Sequence, residues 1–547
     1  MSESSGPKVR YSIQYLQEQY DKGNKKPLED LVRAWKGIQE LPATDKRSLF
    51  ALGGYHGEPF QYRRAVDELS DVDRYAYWGG YCNHGNVLFP TWHRVYVYKL
   101  ELALQSIVPD VTMAYWDETD QYTLNNGIPS VLTQEQFELD GELIPNPLRS
   151  FTLPEALTDY LPGDERFWAK PKGYQTVRYP LSGLVGTPKW TVITKEHNAK
   201  YPDPATNTKL LNDNILAWLH GLHPTPENPN PKGPGIYWLF ENCLNAPNYT
   251  VFSNTTSAGQ WNKERRGDVV TALESPHNDI HLAVGGFYLP QQNAEYGQVA
   301  GANGDMGENN TASMDPIFYF HHCNIDRMFW LWQKRHGATD KLDIISGYAG
   351  TNSSDSQGPT PGIAPGTSLG LDTPLNPFLK DEFGTVFTSN DCINIETQLG
   401  YTYAPGSFDE PEAKLSAGFQ ASKKLLASGI DRALFQGSFV LVAYATETDA
   451  SGNETKHYLG HYSVLSRWNV IGCANCLTHL EVVAHFPLPA TLTATEKEFN
   501  YHLEVQSREL DVVRPNRLML NAVRRIDNTS EPTTAPARWN YKLEVVD

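Results

Sequence analysis

Two histidine groups lying far apart constrain this 547-residue chain more than any other feature. The downstream group is His277-Asn278-Asp279-Ile280-His281, followed by Asp315-Pro316-Ile317-Phe318-Tyr319-Phe320-His321-His322. On a helix, His277 and His281 project from one face, so one metal takes both imidazoles and a third from elsewhere. The zinc-protease form of such a pair needs Glu directly after the first His as general base, and that position is Asn278. A carboxylate-bridged di-iron bundle needs inward Glu residues and Glu-x-x-His pairs, which this stretch lacks. Imidazole-rich sites suit copper, zinc, iron or nickel, with copper at the top of the affinity order. Redox chemistry is therefore expected over hydrolysis.

The upstream group offers three more imidazoles: His56 in Leu52–Phe60, and His84 and His93 in Trp78–Arg94. Through CNHGNVLFPTWHR, AYWDE, ESPHNDIHLAVGG and DPIFYFHHCNIDR, in that order, the chain resembles the type-III copper proteins, and within them the fungal tyrosinases. The motifs fall in residues 50–405, with weaker likeness extending to the C-terminus. The resemblance implies that His56, His84 and His93 hold one copper and that His277, His281 and His322 hold the other. His321 then stands behind His322. Dioxygen is the implied co-substrate, and three protein ligands per metal leave room for it and for a phenol. At the Cys-x-His spacing, Cys82 is expected to form a thioether with His84; the competing reading is a buried thiol.

A phenol of pKa ~10 is mostly neutral at working pH, so its binding to copper requires a base. The resemblance assigns that role to a water held by Glu274 and Asn278. Pro276 suits a first helical turn, so Glu274 is either on the face of His277 or in a cap. Leu282 is implied to border the substrate entrance, and Phe318 and Phe89 to pack over the coppers. Asp326, one turn after His322, is a candidate for orienting a ligand ring. The implied activity is that of a latent tyrosinase, which o-hydroxylates monophenols and oxidises o-diphenols to o-quinones, feeding melanin formation from tyrosine, tyramine or catechols. A catechol oxidase without monophenolase activity is the nearer alternative, and a hemocyanin-like dioxygen carrier the more distant one. Carriers string many such units together, and this chain has one.

The pattern along the chain divides it into a multi-domain α+β protein. Residues 26–40 and 93–107 repeat at helical period, and Asp315–Arg335 reads as a long buried helix. Residues 1–405 are expected to form a mainly helical catalytic domain with a four-helix-bundle core, closed by Tyr401-Thr402-Tyr403, which the resemblance packs against Arg10. Residues 406–415 are expected to form an exposed linker and the target of an activating protease. In 416–547, Ser438–Tyr444, Leu480–Pro487 and Tyr501–Gln506 are β-rich, with turn chemistry at Asp449–Asn453, so an antiparallel β-sandwich is expected. By resemblance, this domain covers the copper entrance and inserts an aromatic ring, for which Tyr458, Tyr462 and Phe486 qualify. Cys473 and Cys476 form a lone CxxC whose readings are half a zinc site with His479, a redox dithiol, or a Cu(I) pair delivering copper. The fungal likeness favours delivery.

Composition narrows the partners. A formal net charge of −18 argues against nucleic acid and anionic membranes. No apolar run approaches a membrane span and the N-terminus lacks a signal h-region, so a cytoplasmic protein, with Asn-x-Ser/Thr matches arising by chance, is expected. Six cysteines in this length are no disulfide framework. A homodimer is a further expectation.

Overall fold

The computed structural model describes residues 6–57, 80–157, 169–221, 234–265, 269–289, 301–355, 362–364, 366–409, 423–432, 435, 437–449, 451–466, 481–493, 498–507, 524–527 and 541–546. Cys473, Cys476, His479 and residues 410–415 of the expected linker lie outside the described residues.

Helices dominate as far as Leu399, and their boundaries follow local chemistry. Helix α1 (Lys26–Glu40) spans the predicted segment, with Pro27 in its first turn. It buries Leu28, Leu31, Val32, Trp35 and Ile38, the stripe that a 3.6-residue period produces. Helix α2 (Leu49–His56) starts on Ser48, whose side chain accepts the Ala51 N–H. Helix α3 (Phe89–Ile107) contains the predicted 93–107. Helices α4 (Glu274–Gly285) and α5 (Ile317–His336) form the centre of this body. In α5 every residue from Ile317 to Gln333 is buried, polar ones included. A helix enclosed all round has to satisfy its polar groups inside the protein, which identifies α5 as the structural and chemical axis. Among the described residues, no helix is long and apolar enough to cross a membrane.

One polar cluster closes this body. Strand β1 (Lys8–Arg10) pairs in parallel with β2 (Tyr401–Tyr403), placing Arg10 opposite Tyr403. Arg10 lies 3.4 Å over the Tyr401 ring and donates from Nε to Glu101 at 2.8 Å. Asp326 of α5 accepts from the Tyr401 hydroxyl at 2.5 Å, the Tyr403 hydroxyl at 2.6 Å and Arg94 Nε at 2.5 Å. The packing of Arg10 on the tyrosine motif is as expected; the role expected of Asp326 is not. Its two oxygens are taken up by this cluster, which ties both ends of the helical body to α5 instead of orienting an imidazole.

Beyond residue 422 the chain forms two antiparallel sheets. In one, the central strand Lys423–Asp431 is flanked by Glu481–Leu488 and Lys542–Val546. The other runs Arg524–Asp527, Asn500–Ser507, Phe439–Thr448, Glu454–Val464. Both contribute to a core of their own that includes Leu425, Leu441, Leu459, Phe486 and Leu503. At the predicted turn, Asp449 accepts the N–H groups of Ser451 and Asn453.

Strand Phe439–Thr448 shows how this sandwich is docked. Phe439, Leu441, Ala443 and Ala445 face the sandwich core, whereas Val440, Val442 and Tyr444 belong to the core of the helical body. A strand alternates its side chains between two faces, so this strand joins two hydrophobic cores at once. Polar ties add direction: Lys424 Nζ donates to the carbonyls of Asn262 and Arg265 at 2.6 and 2.8 Å, and the Tyr288 N–H donates to Gln506 Oε1 at 3.0 Å.

Residues 406–409, read from sequence as exposed linker, are held to the helical body. Arg327 Nη2 donates to the Ser407 carbonyl and to Asp409 Oδ2, both at 2.8 Å, and Phe408 is buried.

Burial raises the Asp326 carboxyl, but Arg94, Arg10 and the two tyrosine hydroxyls outweigh it and hold the group below its ordinary range. Its stabilising contribution is therefore present at neutral pH and lost as pH falls below the aspartate range. Arg10→Ala, which removes a cation from this buried set, is expected to cost about 3–5 kcal/mol in urea or thermal unfolding.

Candidate metal centre

The upstream imidazoles come from three places: the last residue of α2 (His56), the loop before α3 (His84) and the first turns of α3 (His93). Their ring centroids lie 5.2–5.6 Å apart. The downstream set comes from α4 (His277, His281) and α5 (His322), with centroids 4.6–5.5 Å apart. The two sets abut: His93 stacks on His322 at 4.7 Å and 23°, and His84 lies 5.5 Å from His277. Residues separated by more than two hundred positions thus enclose one small volume.

Hydrogen bonds at the outer ring nitrogens decide what the inner ones offer. His93 Nδ1–H donates to the Phe89 carbonyl at 2.8 Å, and His281 Nδ1–H donates to the Met306 carbonyl at 2.9 Å. A carbonyl only accepts, so both rings, when neutral, present a bare lone pair at Nε2. His277 Nδ1 faces Asn278 Oδ1 at 2.9 Å, which selects the same tautomer. The Nε2 atoms of His277 and His281 each lie 3.3 Å from His322 Nε2. A single proton on His322 cannot satisfy both. His93 Nε2 has no hydrogen-bond partner among the described residues. Protonation is a poor remedy, because burial and neighbouring imidazoles push His277, His281 and His322 well below the ordinary value, and His93 down to about 3. Buried lone pairs converging without protons suit a bound cation, and two sets suit two. The donor chemistry fits copper.

The adjacent His321 is held differently. Its Nδ1 contacts Glu118 Oε1 at 2.6 Å, both side chains being fully enclosed, and its ring lies 5.1 Å from that of His322. Burial pushes the Glu118 carboxyl well up. Glu118 belongs to the AYWDE segment. A Glu beside an Asp in a mainly apolar stretch was the available signal, but nothing local identifies its partner, 203 positions away.

Glu274 is the first residue of α4, fully buried; Pro276 follows within the first turn. Glu274 accepts from the Gly85 N–H at 2.9 Å and from the Thr255 N–H and hydroxyl at 2.8 and 3.0 Å. Burial raises its carboxyl despite these donors. Phe318 stacks on His322 at 4.0 Å and Phe89 lies 4.7 Å from His93, so both rings wall the histidine cluster. Leu282 is wholly buried in the helical core. Cys82 is buried, and Asn309 Nδ2 lies 3.4 Å from its sulfur.

The cover candidates separate. Phe486 belongs to the sandwich core, and Tyr462 packs partly against it. Tyr458 packs against the helical core, and its hydroxyl contacts His461 Nδ1 at 2.8 Å. His461 Nε2 in turn contacts Asp279 Oδ2 at 2.7 Å. Asp279 lies two residues from each of His277 and His281, about 200° around the helix, so α4 turns its histidines one way and holds the sandwich with its other side.

The family model for the common central domain of tyrosinase matches residues 46–335. A tyrosinase of Hahella sp. is 65% identical over 514 residues, covering 93% of each chain. One from Aspergillus oryzae is 44% identical over 493 residues, covering 85% of this chain and 87% of its own. The solved tyrosinase of Burkholderia thailandensis superposes with a TM-score of 0.81 at 64% identity, covering 91% of this chain and 95% of that one. These likenesses and the paired histidine sets define an oxidoreductase of the type-III copper class. The chain belongs to the tyrosinase family.

Glu118→Ala, which leaves buried His321 without its partner, is expected to lower unfolding stability by about 1–3 kcal/mol, with Glu118→Gln recovering much of the loss in the same thermal or denaturant measurement.

Proposed function

We propose that this chain is a latent dicopper tyrosinase that o-hydroxylates monophenols and oxidises o-diphenols to o-quinones, with His56, His84 and His93 on one copper and His277, His281 and His322 on the other. The abutting histidine sets, joined by the His93–His322 stack, carry this reading. When bound, the copper pair supplies dioxygen activation and the redox equivalents. The remaining work falls to the chain. His321 is assigned to position the cluster, because Glu118 engages its Nδ1 whereas His322 faces both other imidazoles.

Glu274 and Asn278 are the proposed acceptors of the phenol proton through a shared water. Supporting this, Glu274 is a buried carboxylate with raised proton affinity, the property a general base needs near neutral pH. Its three donors leave it one further lone-pair direction. Leu282 and Phe318 complete the proposed substrate region. The buried Cys82 is proposed to form the thioether with His84, restricting that ring, and Cys473 with Cys476 to deliver Cu(I).

Latency is supported by the docking of the sandwich through Val440, Val442 and Tyr444 and by the His461–Asp279 contact on the ligand helix. The activating protease then acts after Asp409, since residues 406–409 are tied down. Small phenols such as tyrosine, tyramine and catechols are the proposed substrates.

Metal analysis of copper-loaded protein is expected to give two equivalents, falling towards one in His322→Ala and remaining at two in His321→Ala. Paired assays with L-tyrosine and a catechol, before and after limited proteolysis, are expected to show both activities and a gain on cleavage. In Glu274→Gln, monophenol turnover is expected to fall by about 10²-fold or more, with diphenol turnover affected less. Turnover of diphenols alone by the native protein would instead make it a catechol oxidase.

A further inference from the structure

A cavity of about 220 Å³ opens within the helical body, between the stretch 133–150, the segment 175–181 and the first turns of helix Pro204–His220. None of its lining residues is a histidine, a residue assigned to the phenol or a residue of the sandwich. The volume falls below the ~300–1,000 Å³ of pockets for drug-sized ligands, so the space suits a molecule of few heavy atoms. Leu181, Leu211 and Tyr179 give it an apolar wall.

Three polar groups along this cavity are under-used by the fold. Arg149 makes one ion pair among the described residues, with Glu135 at 3.5 Å, longer than the ~2.7–2.9 Å of a charge-assisted hydrogen bond. Burial and the positive charge of Arg178 lower its proton affinity more than Glu135 and Asp315 restore it, so this guanidinium gains from a further anion. Arg178 has no such need: its Nε and Nη2 donate to Asp315 at 2.8 and 2.6 Å, and its Nη1 to the Leu132 carbonyl at 2.6 Å. The Glu135 carboxylate, largely exposed, has the same loose contact with Arg149 and no closer one among the described residues. Asn207 Nδ2 donates to the Tyr201 carbonyl at 2.9 Å, which fixes the orientation of the amide. Its Oδ1 is enclosed and has no hydrogen-bond partner among the described residues. A carbonyl oxygen in that position needs a donor.

We infer that this cavity binds a small α-amino acid as its zwitterion, with the carboxylate on Arg149, the ammonium between Glu135 and Asn207 Oδ1, and an aliphatic side chain against Leu181 and Leu211. An open ion pair presents one charge of each sign to the same space, which a zwitterion complements and a singly charged molecule does not. A monocarboxylate leaves Glu135 and the Asn207 carbonyl oxygen facing another acceptor, and a plain amine leaves Arg149 uncompensated. A neutral polyol answers the carbonyl oxygen but neither charge. The site is a second small-molecule site, separate from the histidine cluster, and it stands whether or not the tyrosinase reading does.

The test is calorimetry on the full chain without added metal, because an amino acid also chelates copper. The ligands are L-valine, 3-methylbutanoate, which lacks the ammonium, and 2-methylpropan-1-amine, which lacks the carboxylate. L-valine is expected to bind about tenfold or more tighter than either, the scale of one hydrogen bond to a charged group. Arg149→Gln is expected to weaken valine by about tenfold and to remove its advantage over the amine, leaving amine binding unchanged. Glu135→Gln is expected to reduce the advantage of valine over 3-methylbutanoate. Lys209→Gln, an exposed change outside the cavity, is expected to leave all three affinities as they are. Thermal unfolding without ligand checks that each variant is folded, and if Arg149→Gln is not, Glu135→Gln and the three-ligand series on the native chain decide. Absence of valine binding, valine binding no tighter than its two analogues, or folded Arg149→Gln indistinguishable from the native chain would each overturn the inference and leave the cavity to water.

Discussion

Six buried imidazoles around one small volume, three of them with inward lone pairs, are the constraint on which the rest of the structure depends. Carbonyls of Phe89 and Met306 fix the outer protons of His93 and His281, leaving lone pairs at both inner nitrogens, and that of His281 faces His322 Nε2. Such an arrangement is unfavourable for the protein alone, because desolvation opposes protonation and like dipoles face one another. It persists because the helices that carry the rings are held from outside the cluster. A bound metal would convert the same convergence from a cost into binding energy and so couple folding of this body to the metal.

The holding structure is polar and mostly remote in sequence. Asp326 gathers Arg94, Tyr401 and Tyr403, while Arg10 covers Tyr401, so the N-terminal strand, α3, α5 and the end of the helical region meet at one carboxylate. Glu118 does the corresponding work nearer the histidine cluster by engaging His321. The two arrangements explain why α5 is buried along nearly its whole length and still carries so many polar residues. His321 and His322 belong to the histidine cluster, whereas Asp326, Arg327 and Gln333 brace the helix.

The sandwich uses a different principle. Its strand Phe439–Thr448 has hydrophobic residues on both faces, one for its own core and one for the helical body, so removing the sandwich would expose Val440, Val442 and Tyr444. The docking is therefore strong apart from any single contact, and the His461–Asp279 and Lys424 ties set where it sits. The same joint encloses a cavity lined by Arg432 and Tyr462 from the sandwich and by Asn278 and Thr255 from the helical body.

Periodicity and ligand spacing made much of this legible. The segment 26–40 is α1 because its apolar stripe is local, and His277 with His281 share a face because four residues make about one turn. The motif likeness extended that reading to His56, His84, His93 and His322, and to Arg10. Other features depend on partners that spacing does not reveal: Glu118 with His321, Asp326 with the tyrosines instead of an imidazole, and the anchoring of 406–409 by Arg327. The run Phe439–Tyr444 reads as a buried strand in either case, but only packing shows that its two faces serve two cores. Local sequence thus determined the elements and the ligand-bearing faces, since those arise from backbone geometry and side-chain type. Tertiary structure alone decided which buried charges pair and where the sandwich rests, since those choices are made by residues brought together only when the chain closes.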